Sequence, residues 1–439
     1  MKIKTFPVFF FIFVIFVILL TVTIKSDNLS FLEGKAINVT GKQEPTPQTT
    51  PTWTLLDKIL EPDPEFDNIE LKIGDKDISY LEERYLRNEN GNITFDSNGQ
   101  IRKEKIIRND PEREIALKLL NSKTGTTEII KIKKHGNELI APAGYDIGVY
   151  ERLSGLSWNA HNTYYHIKMP TDLIVIRNVW PEIKYETQTI TVTEKGKKKK
   201  KKVKAPVLEK NKAYIPYSDS LRTNEVVNKG INDLKQIVTE AKKRLRKNNV
   251  MSRAFPDRLV ANVLPDEYYW RRPLIEHSDL GEFVIDSKGT AERIFVILAT
   301  NGPNAWSSCN FASACGMYQF TRNTYNTIAK SYREANLIKE FNVGSLDHIN
   351  SAMAAILLDD TNLAELISRY GEKIYRDSNL HEYIYAAYNG NPKWVYKSLS
   401  ATFYRALAKK PSDWTKHLKA ETKGAMLKVR YLEENQIPI

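Results

Sequence analysis

Two short patches in the last third of the chain carry side chains whose types and spacing suit sugar binding. The first is Cys-Gly-Met-Tyr-Gln-Phe-Thr at 315–321, and the second is Tyr-Ala-Ala-Tyr-Asn-Gly-Asn-Pro at 385–392. Gln319 has both a donor and an acceptor on a short arm, which suits sugar hydroxyl and acetamido groups. Asn389 has the same pair of groups. The alternative role for both amides is helix capping or local hydrogen bonding.

A cluster of acidic residues upstream of these patches supplies candidate proton donors. Cleavage of a glycosidic bond requires an acid, usually a carboxyl group whose pKa is raised by partial burial. Glu282 precedes Phe283, an apolar neighbour that favours such a shift, whereas Glu276 has His277 beside it. Either glutamate is a candidate acid. The alternative for both is a surface carboxylate or a helix cap.

The order and spacing of the two patches resemble those of the soluble lytic transglycosylases, lysozyme-like enzymes that cut the glycan strands of peptidoglycan. In that family a helix ends in Glu-Ser, followed some fifteen residues later by Gly-Ala-x-Gly-Leu-Met-Gln and further on by Ala-Tyr-Asn-x-Gly. Here 313–319 matches the alanine, the second glycine and the glutamine, and 387–390 matches Ala-Tyr-Asn with the glycine one place early. The resemblance covers 290–396.

The resemblance implies a reaction and a set of site residues. The enzymes cleave the bond between N-acetylmuramic acid and N-acetylglucosamine with one glutamate, leave a 1,6-anhydro end, and need no metal or cofactor. Counting back fifteen residues from Gly316 reaches Asn301, whose neutral amide cannot donate the proton effectively. The acid would then be Glu276 or Glu282. The residues expected to contact substrate are Gly316, Gln319, Tyr388, Asn389 and Asn301.

Two other hypotheses stay open. The chain could be an inactive lysozyme-like scaffold of the cell envelope that binds peptidoglycan without cutting it, and Asn301 favours that interpretation. Alternatively, a β-rich middle domain could do the main work within a secretion or division complex.

The N-terminus predicts export. Residues 6–24 form an uncharged apolar run behind Lys2 and Lys4, about the length that spans a bilayer. The run lacks a clear Ala-x-Ala site, so we expect an uncleaved single-pass anchor, with a cleaved signal or a buried helix as alternatives. Basic residues ahead of the run place the bulk of the chain outside the cytoplasm. Cys309 and Cys315 are the two cysteines, and in an exported protein they could form a disulfide or stay as free thiols.

The apolar N-terminal run and the β-prone composition of the middle predict an α+β multidomain protein with an N-terminal transmembrane helix and a β-rich middle domain. The family resemblance implies that the C-terminal domain is all-α and lysozyme-like. Within 222–249, a heptad seam of apolar residues predicts a long helix packed on a neighbouring domain. The expected segments are an anchor at 1–27, a flexible linker at 28–66, the β-rich domain at 67–215, a long helix and connector at 216–265, the lysozyme-like domain at 266–400 and a helical tail at 401–439.

The basic charge is concentrated in one tract. The formal net charge is +12, and eight lysines of one tract account for all but about +4 of it (12 − 8 = 4). Those lysines are Lys195, Lys197, Lys198, Lys199, Lys200, Lys201, Lys202 and Lys204. The tract lies between two β-prone runs, so we expect a solvated hairpin tip or loop. A functional role would be contact with an anionic envelope polymer or acidic lipid, whereas a nucleic acid partner does not fit an exported chain.

Overall fold

A mainly antiparallel sheet forms the middle of the chain in this computed structural model, which describes residues 53–435 and 437 except for 89–92, 99, 153–157, 159–160, 195–196, 311 and 407–413. The strands are β1 (Ile73–Tyr85), β2 (Lys103–Asn121), β3 (Thr127–His135), β4 (Glu138–Ile140), β5 (Asp146–Val149), β6 (Tyr165–Met169), β7 (Leu173–Glu194) and β8 (Lys197–Tyr214). The main sheet has the order β4-β3-β2-β7-β8, and β1 pairs with β2; β5 and β6 pair separately. The β-rich middle region is therefore confirmed.

The main sheet is buried on both faces around β2. Ile115, Leu117 and Leu119 alternate along β2 and join one apolar cluster, which includes residues of β5 and β6. Leu120 and Ile176 belong instead to the large core that the helices build. The sheet is thus packed directly against the helical part of the chain, within a compact unit that spans residues 51–439.

Twelve described α-helices surround and follow the sheet. They are α1 (Leu55–Leu60), α2 (Pro64–Asp67), α3 (Asn224–Lys247), α4 (Glu267–Glu276), α5 (Leu280–Ile285), α6 (Ser287–Asn301), α7 (Arg322–Ser331), α8 (Phe341–Gly344), α9 (His348–Tyr370), α10 (Leu380–Asn389), α11 (Pro392–Ala406) and α12 (Ala420–Glu434). The two sequence patches lie in the loop before α7 and at the end of α10. Helix α12 packs on α4, α5 and α10, so the C-terminal segment is part of the core structure around them.

Helix α3 is the long helix that the heptad seam predicts. Thr223 accepts a hydrogen bond from the Val226 N–H at its start, and the buried face includes Leu234, Val238 and Leu245. The helix packs on α6 and α9. Gly230 makes the close approach to α6 possible, because a Cβ atom there would lie 2.1 Å from the carbonyl oxygen of Phe295.

Replacing Gly230 with Ala is therefore expected to lower the free energy of unfolding by about 1–3 kcal/mol, since the added methyl group meets backbone that must shift. Gly424→Ala is the matched control, because its Cβ would meet only the Leu280 side chain at 3.3 Å. That control is expected to be neutral or stabilising by up to about 1 kcal/mol, as alanine favours helix. Urea unfolding of both variants checks the prediction, and equal effects would contradict it.

The fold class requires a correction at the N-terminus. Among the described residues, no helix is long and apolar enough to cross a membrane. The predicted transmembrane helix at 1–27 lies outside the described residues. The described fold is therefore mixed α and β, with a β-rich middle and no membrane-spanning helix.

One predicted segment also differs from the structure. Helices α1 and α2 occupy the end of the predicted linker at 28–66 because Thr54 and Asp57 form a reciprocal capping box and Asp63 caps a helix that begins with Pro64. The lysine tract lies at the end of the β7–β8 hairpin, as predicted, and most of it is strand: β8 begins at Lys197, which pairs with Glu194 of β7.

Candidate active site

The patch at 315–321 forms a tight loop that is fixed to its surroundings. Cys309 and Cys315 form a disulfide, and the backbone groups of Cys315 and Phe320 exchange hydrogen bonds of 2.9 and 3.0 Å. Gly316 has φ +75°, and a Cβ atom there would lie 1.9 Å from the Ser345 carbonyl oxygen. Only glycine fits this position, so the loop is seated directly on the backbone that precedes α9.

Two neighbouring carbonyl groups of this loop bind residues from two helices. The Met317 carbonyl accepts a hydrogen bond of 2.9 Å from His277 Nε2, directly after α4. The Tyr318 carbonyl accepts one of 2.7 Å from the Tyr388 hydroxyl, near the end of α10. Burial lowers the pKa of His277 to about 3, which keeps the ring neutral, and a carbonyl can only accept, so Nε2 carries the proton. The loop therefore joins the ends of α4 and α10.

A buried arginine orders the Tyr388 ring. The Arg272 guanidinium lies 3.5 Å from the ring centroid and forms a 2.6 Å ion pair with Asp359 of α9. Both charged side chains are completely buried. Because a buried charge without its partner is costly, this pair ties α4 to α9 and holds a cation against Tyr388.

Glu276 is the last residue of α4 and lines a cavity of about 260 Å³ between α4, α10 and α12. Burial raises the pKa of its carboxyl group above the ordinary value, although the nearby Arg272 and Lys428 cations oppose that rise. The Glu421 carboxylate on the opposite wall adds to it. The carboxyl group therefore has the environment of a proton donor.

Asn389 lines the same cavity, one residue after Tyr388. Its side-chain amide favours the charged form of the Glu276 carboxyl group and so opposes the rise of that pKa. Its Oδ1 atom is buried and has no hydrogen-bond partner among the described residues. A buried acceptor without a partner costs free energy, and a ligand N–H or O–H could satisfy it.

Lys428 closes the cavity from α12. Its amine donates a hydrogen bond of 2.8 Å to the Ile275 carbonyl and another to the Ser278 carbonyl. These carbonyl groups are at the C-terminal end of α4, where a cation is favoured. Burial lowers the pKa of Lys428, and the Glu276 carboxylate opposes that shift. Lys428 thus fixes the helix end that carries Glu276.

The other candidate acid, Glu282, lies elsewhere. One of its carboxylate oxygens is 2.8 Å from the buried Arg293 guanidinium, and the other is 3.4 Å from Arg152. It lines a separate cleft of about 550 Å³, whose walls include Tyr164 and Tyr217. Because arginine occupies both oxygens, the structure gives Glu282 an ion-pairing role.

Gln319 and Asn301 do not line the Glu276 cavity. The Gln319 amide donates to the Gly316 carbonyl at 2.7 Å and accepts from Asn310 at 2.9 Å. Asn301, at the end of α6, is buried; its amide accepts from the Ile215 N–H at 2.9 Å and donates to the Ile215 carbonyl at 3.0 Å. Asn301 therefore holds the chain segment that follows β8, and we do not propose it as a substrate contact.

The structure thus brings together Glu276, Tyr388 and Asn389 and adds two residues that sequence reasoning missed, Arg272 and Lys428. Arg272 lies one helical turn before Glu276, a spacing that could have indicated the pairing. No sequence signal indicated Lys428, because its place beside Glu276 depends on how α12 packs against the end of α4. In the part of the chain that the structure describes, no three His, Cys, Asp or Glu side chains are grouped to hold a metal ion.

Comparisons with known proteins add no relative. No protein-family model matches the chain, and no curated protein or solved structure is significantly similar to it.

Proposed function

We propose that this protein is a peptidoglycan lytic transglycosylase that cleaves the bond between N-acetylmuramic acid and N-acetylglucosamine, with Glu276 as its acid. The observation that carries the proposal is the placement of Glu276: its carboxyl group shares a cavity with Asn389, beside Tyr388 and the loop at 315–321. The second motif patch therefore lies at this carboxyl group, and the first patch is joined to the same helix end through the hydrogen bond from His277 to the Met317 carbonyl. Glu276 precedes Gly316 by 40 residues, so the acid is supplied by an earlier helix than in the family pattern.

The proposed reaction uses one carboxyl group twice. Glu276 donates its proton to the glycosidic oxygen as the bond from that oxygen to C1 of the muramic acid residue breaks. The resulting carboxylate then takes the proton of the 6-hydroxyl group, whose oxygen forms the new bond to C1. The muramic acid residue ends as a 1,6-anhydro sugar, Glu276 is protonated again, and no water is consumed.

The neighbours of Glu276 suit both halves of this cycle. Burial favours the neutral acid before the proton is donated, and Arg272 and Lys428 stabilise the carboxylate that follows. The unpartnered Oδ1 atom of Asn389 offers an acceptor for a substrate acetamido N–H. The cavity is slightly smaller than a typical ligand site of about 300–1,000 Å³, so it would hold the sugar groups at the cleaved bond while the strand extends outside.

The Cys309–Cys315 disulfide supports a location outside the cytoplasm, where the proposed substrate is found. Disulfides form and persist in oxidising compartments and are rare in the cytosol. This argument is independent of the N-terminal residues.

A second candidate function is glycan binding without cleavage, as a scaffold of the cell envelope. The observation that favours it is the amide of Asn301 at the position where the family pattern has its glutamate.

The two functions differ in what happens to the substrate. Purified full-length protein is incubated with peptidoglycan sacculi, and the pellet and supernatant are separated. Soluble glycan fragments support the enzyme; protein that co-sediments without releasing fragments supports the scaffold.

The cleavage rate is expected to depend on pH through Glu276. Because the first step needs the protonated acid and the pKa of Glu276 is raised, activity should persist at acidic pH and fall as the pH rises through that pKa. Lys428→Met removes a cation that lowers this pKa, so the alkaline limb of the profile should move to higher pH. Initial rates of sacculus digestion measured against pH check both expectations.

The position of the alkaline limb separates this electrostatic effect from a loss of folding. A partly unfolded Lys428→Met protein would have lower rates at every pH with an unchanged limb. An unchanged limb in a variant that unfolds at the wild-type urea concentration would contradict the role given to Lys428. Lys423→Met, an exposed lysine on the same helix, is the matched control and should leave the profile unchanged.

A further inference from the structure

The end of the β7–β8 hairpin is a strongly basic arm, here defined as residues 187–204. Its sequence holds eight lysines and one acidic residue, Glu194, which gives a formal charge of +7 (8 − 1 = 7). The two strands stay paired up to Glu194 and Lys197. Exposed side chains lie on both faces, Gln188 and Lys201 on one and Thr189 and Lys202 on the other. The described part of the arm is therefore a two-stranded ribbon in solvent.

The register places threonines opposite lysines on one face of the ribbon. Thr187 pairs with Lys204, Thr189 with Lys202, and Thr191 with Lys200. Residues directly opposite in an antiparallel pair share a face, so the six side chains form one array, the Thr–Lys ladder. All six residues are exposed.

The ladder has the chemistry and the repeat of a site for a linear phosphodiester chain. Lysine amines and threonine hydroxyls both donate hydrogen bonds to phosphate oxygens, and the lysines neutralise the charge. Successive rungs are two residues apart, which is about 6.6–6.8 Å along a strand. Two residues contribute six backbone bonds, the same number as one repeat of a 1,3-linked poly(glycerol phosphate). An extended chain of that kind can therefore place successive phosphates on successive rungs.

Other polyanions fit the arm less well. Single-stranded nucleic acids are bound by stacking bases on aromatic side chains as well as by cations, and residues 187–204 contain no aromatic residue. The nearest one, Tyr185, donates its hydroxyl hydrogen to Asp77. Insertion into a membrane surface uses apolar side chains, and the ladder consists of threonine and lysine alone. Purely electrostatic contact with acidic headgroups would not select the polyol polymer over vesicles, so the vesicle measurement below distinguishes it. The disulfide also indicates an oxidising compartment.

We propose that the Thr–Lys ladder binds a linear anionic polymer of phosphodiester-linked polyols outside the cytoplasm. The glycan site and the ladder then contact two different polymers, and the ladder would hold the protein where both are present. This inference rests on the register and exposure of the arm and not on cleavage, so each can fail separately.

The test measures binding of full-length protein to purified 1,3-linked poly(glycerol phosphate) by isothermal titration calorimetry at several salt concentrations. The triple variant K200Q/K202Q/K204Q is expected to bind about tenfold to a hundredfold more weakly, and its slope of log K against log salt should fall by about two to three. The triple K330Q/K339Q/K423Q changes the net charge equally at exposed lysines elsewhere and should bind like wild type. Replacing the ladder lysines with arginine keeps the charge and should preserve binding.

Hydroxyl groups are tested by T187V/T189V/T191V, which keeps β-branched side chains and should weaken binding severalfold without changing the salt slope. Equal losses in both lysine triples would overturn the proposal, because net charge alone would then explain binding. Poly(uridylic acid), or vesicles of phosphatidylglycerol and phosphatidylcholine, binding more tightly than the polyol polymer would also overturn it. Preference for the polyol polymer that is lost only in the ladder variants supports it.

Discussion

Glu276→Gln is expected to lower the rate of glycan release from sacculi by about 10²–10⁴-fold, the usual contribution of a general acid. Glutamine has nearly the same shape but no acidic proton, so it cannot protonate the glycosidic oxygen. The side chain lies next to the Asn389 amide and two cations, and the neutral glutamine removes a partly buried ionisable group. The variant should therefore fold at least as well as wild type and still co-sediment with sacculi.

Glu267→Gln is the matched control for this result. Glu267 is exposed in the first turn of α4, nine residues before the last residue of the same helix, and does not line the cavity. Its replacement should leave the release rate unchanged. Full activity in Glu276→Gln, or equal losses in both variants, would remove Glu276 from the mechanism.

Arg272→Met is expected to destabilise the protein by about 3–5 kcal/mol, because it leaves the Asp359 carboxylate buried without its partner. Methionine fills much of the volume of the arginine stem, so the loss comes mainly from the charge. The cation that stacks on Tyr388 is lost as well, and the hydrogen bond from Tyr388 to the Tyr318 carbonyl then depends on packing alone. Urea unfolding measures the change in stability.

A second substitution separates the ion pair from packing. Asp359→Asn in the Arg272→Met background removes the uncompensated charge with almost no change in volume, and should restore more than half of the lost stability. Additive losses in the double variant would show that the pair does not act as a unit. Glycan release should stay reduced in the double variant, because the Arg272 cation beside Tyr388 and Glu276 is still missing.

Part of the site could be predicted from the sequence, because a short motif is recognised by its residue types and their spacing. Glu276, Tyr388 and Asn389 were all candidates, and the structure brings Glu276 and Asn389 to one cavity, with Tyr388 beside it. The choice between Glu276 and Glu282 could not be made, since it depends on where Arg152 and Arg293 lie in space. The apolar neighbour of Glu282 pointed to the wrong environment, because a buried carboxylate can be paired with arginine instead of being protonated.

The fold could also be predicted only in part: elements with a local sequence signal were predicted, and elements that depend on distant contacts were not. The β-prone composition predicted the β-rich middle, and a heptad seam predicted α3, because both signals are local. Helices α1 and α2 were not predicted, because the composition of 28–66 is typical of a flexible linker. Their caps are local signals, but Ile59 and Phe66 are buried against distant parts of the chain. The position of the lysine tract between two β-prone runs predicted a hairpin tip or loop, and pairing with the threonine-rich β7 extends the strand through most of the tract.

The most direct test of the central claim is the identity of the new glycan ends when full-length protein digests purified sacculi in water enriched in ¹⁸O. Released fragments are analysed by mass spectrometry, with Glu276→Gln alongside. The account predicts 1,6-anhydro ends, lighter than hydrolysed ends by one water and free of ¹⁸O, and almost no release by the variant. Reducing ends that carry ¹⁸O, or anhydro ends produced equally by Glu276→Gln, would contradict it.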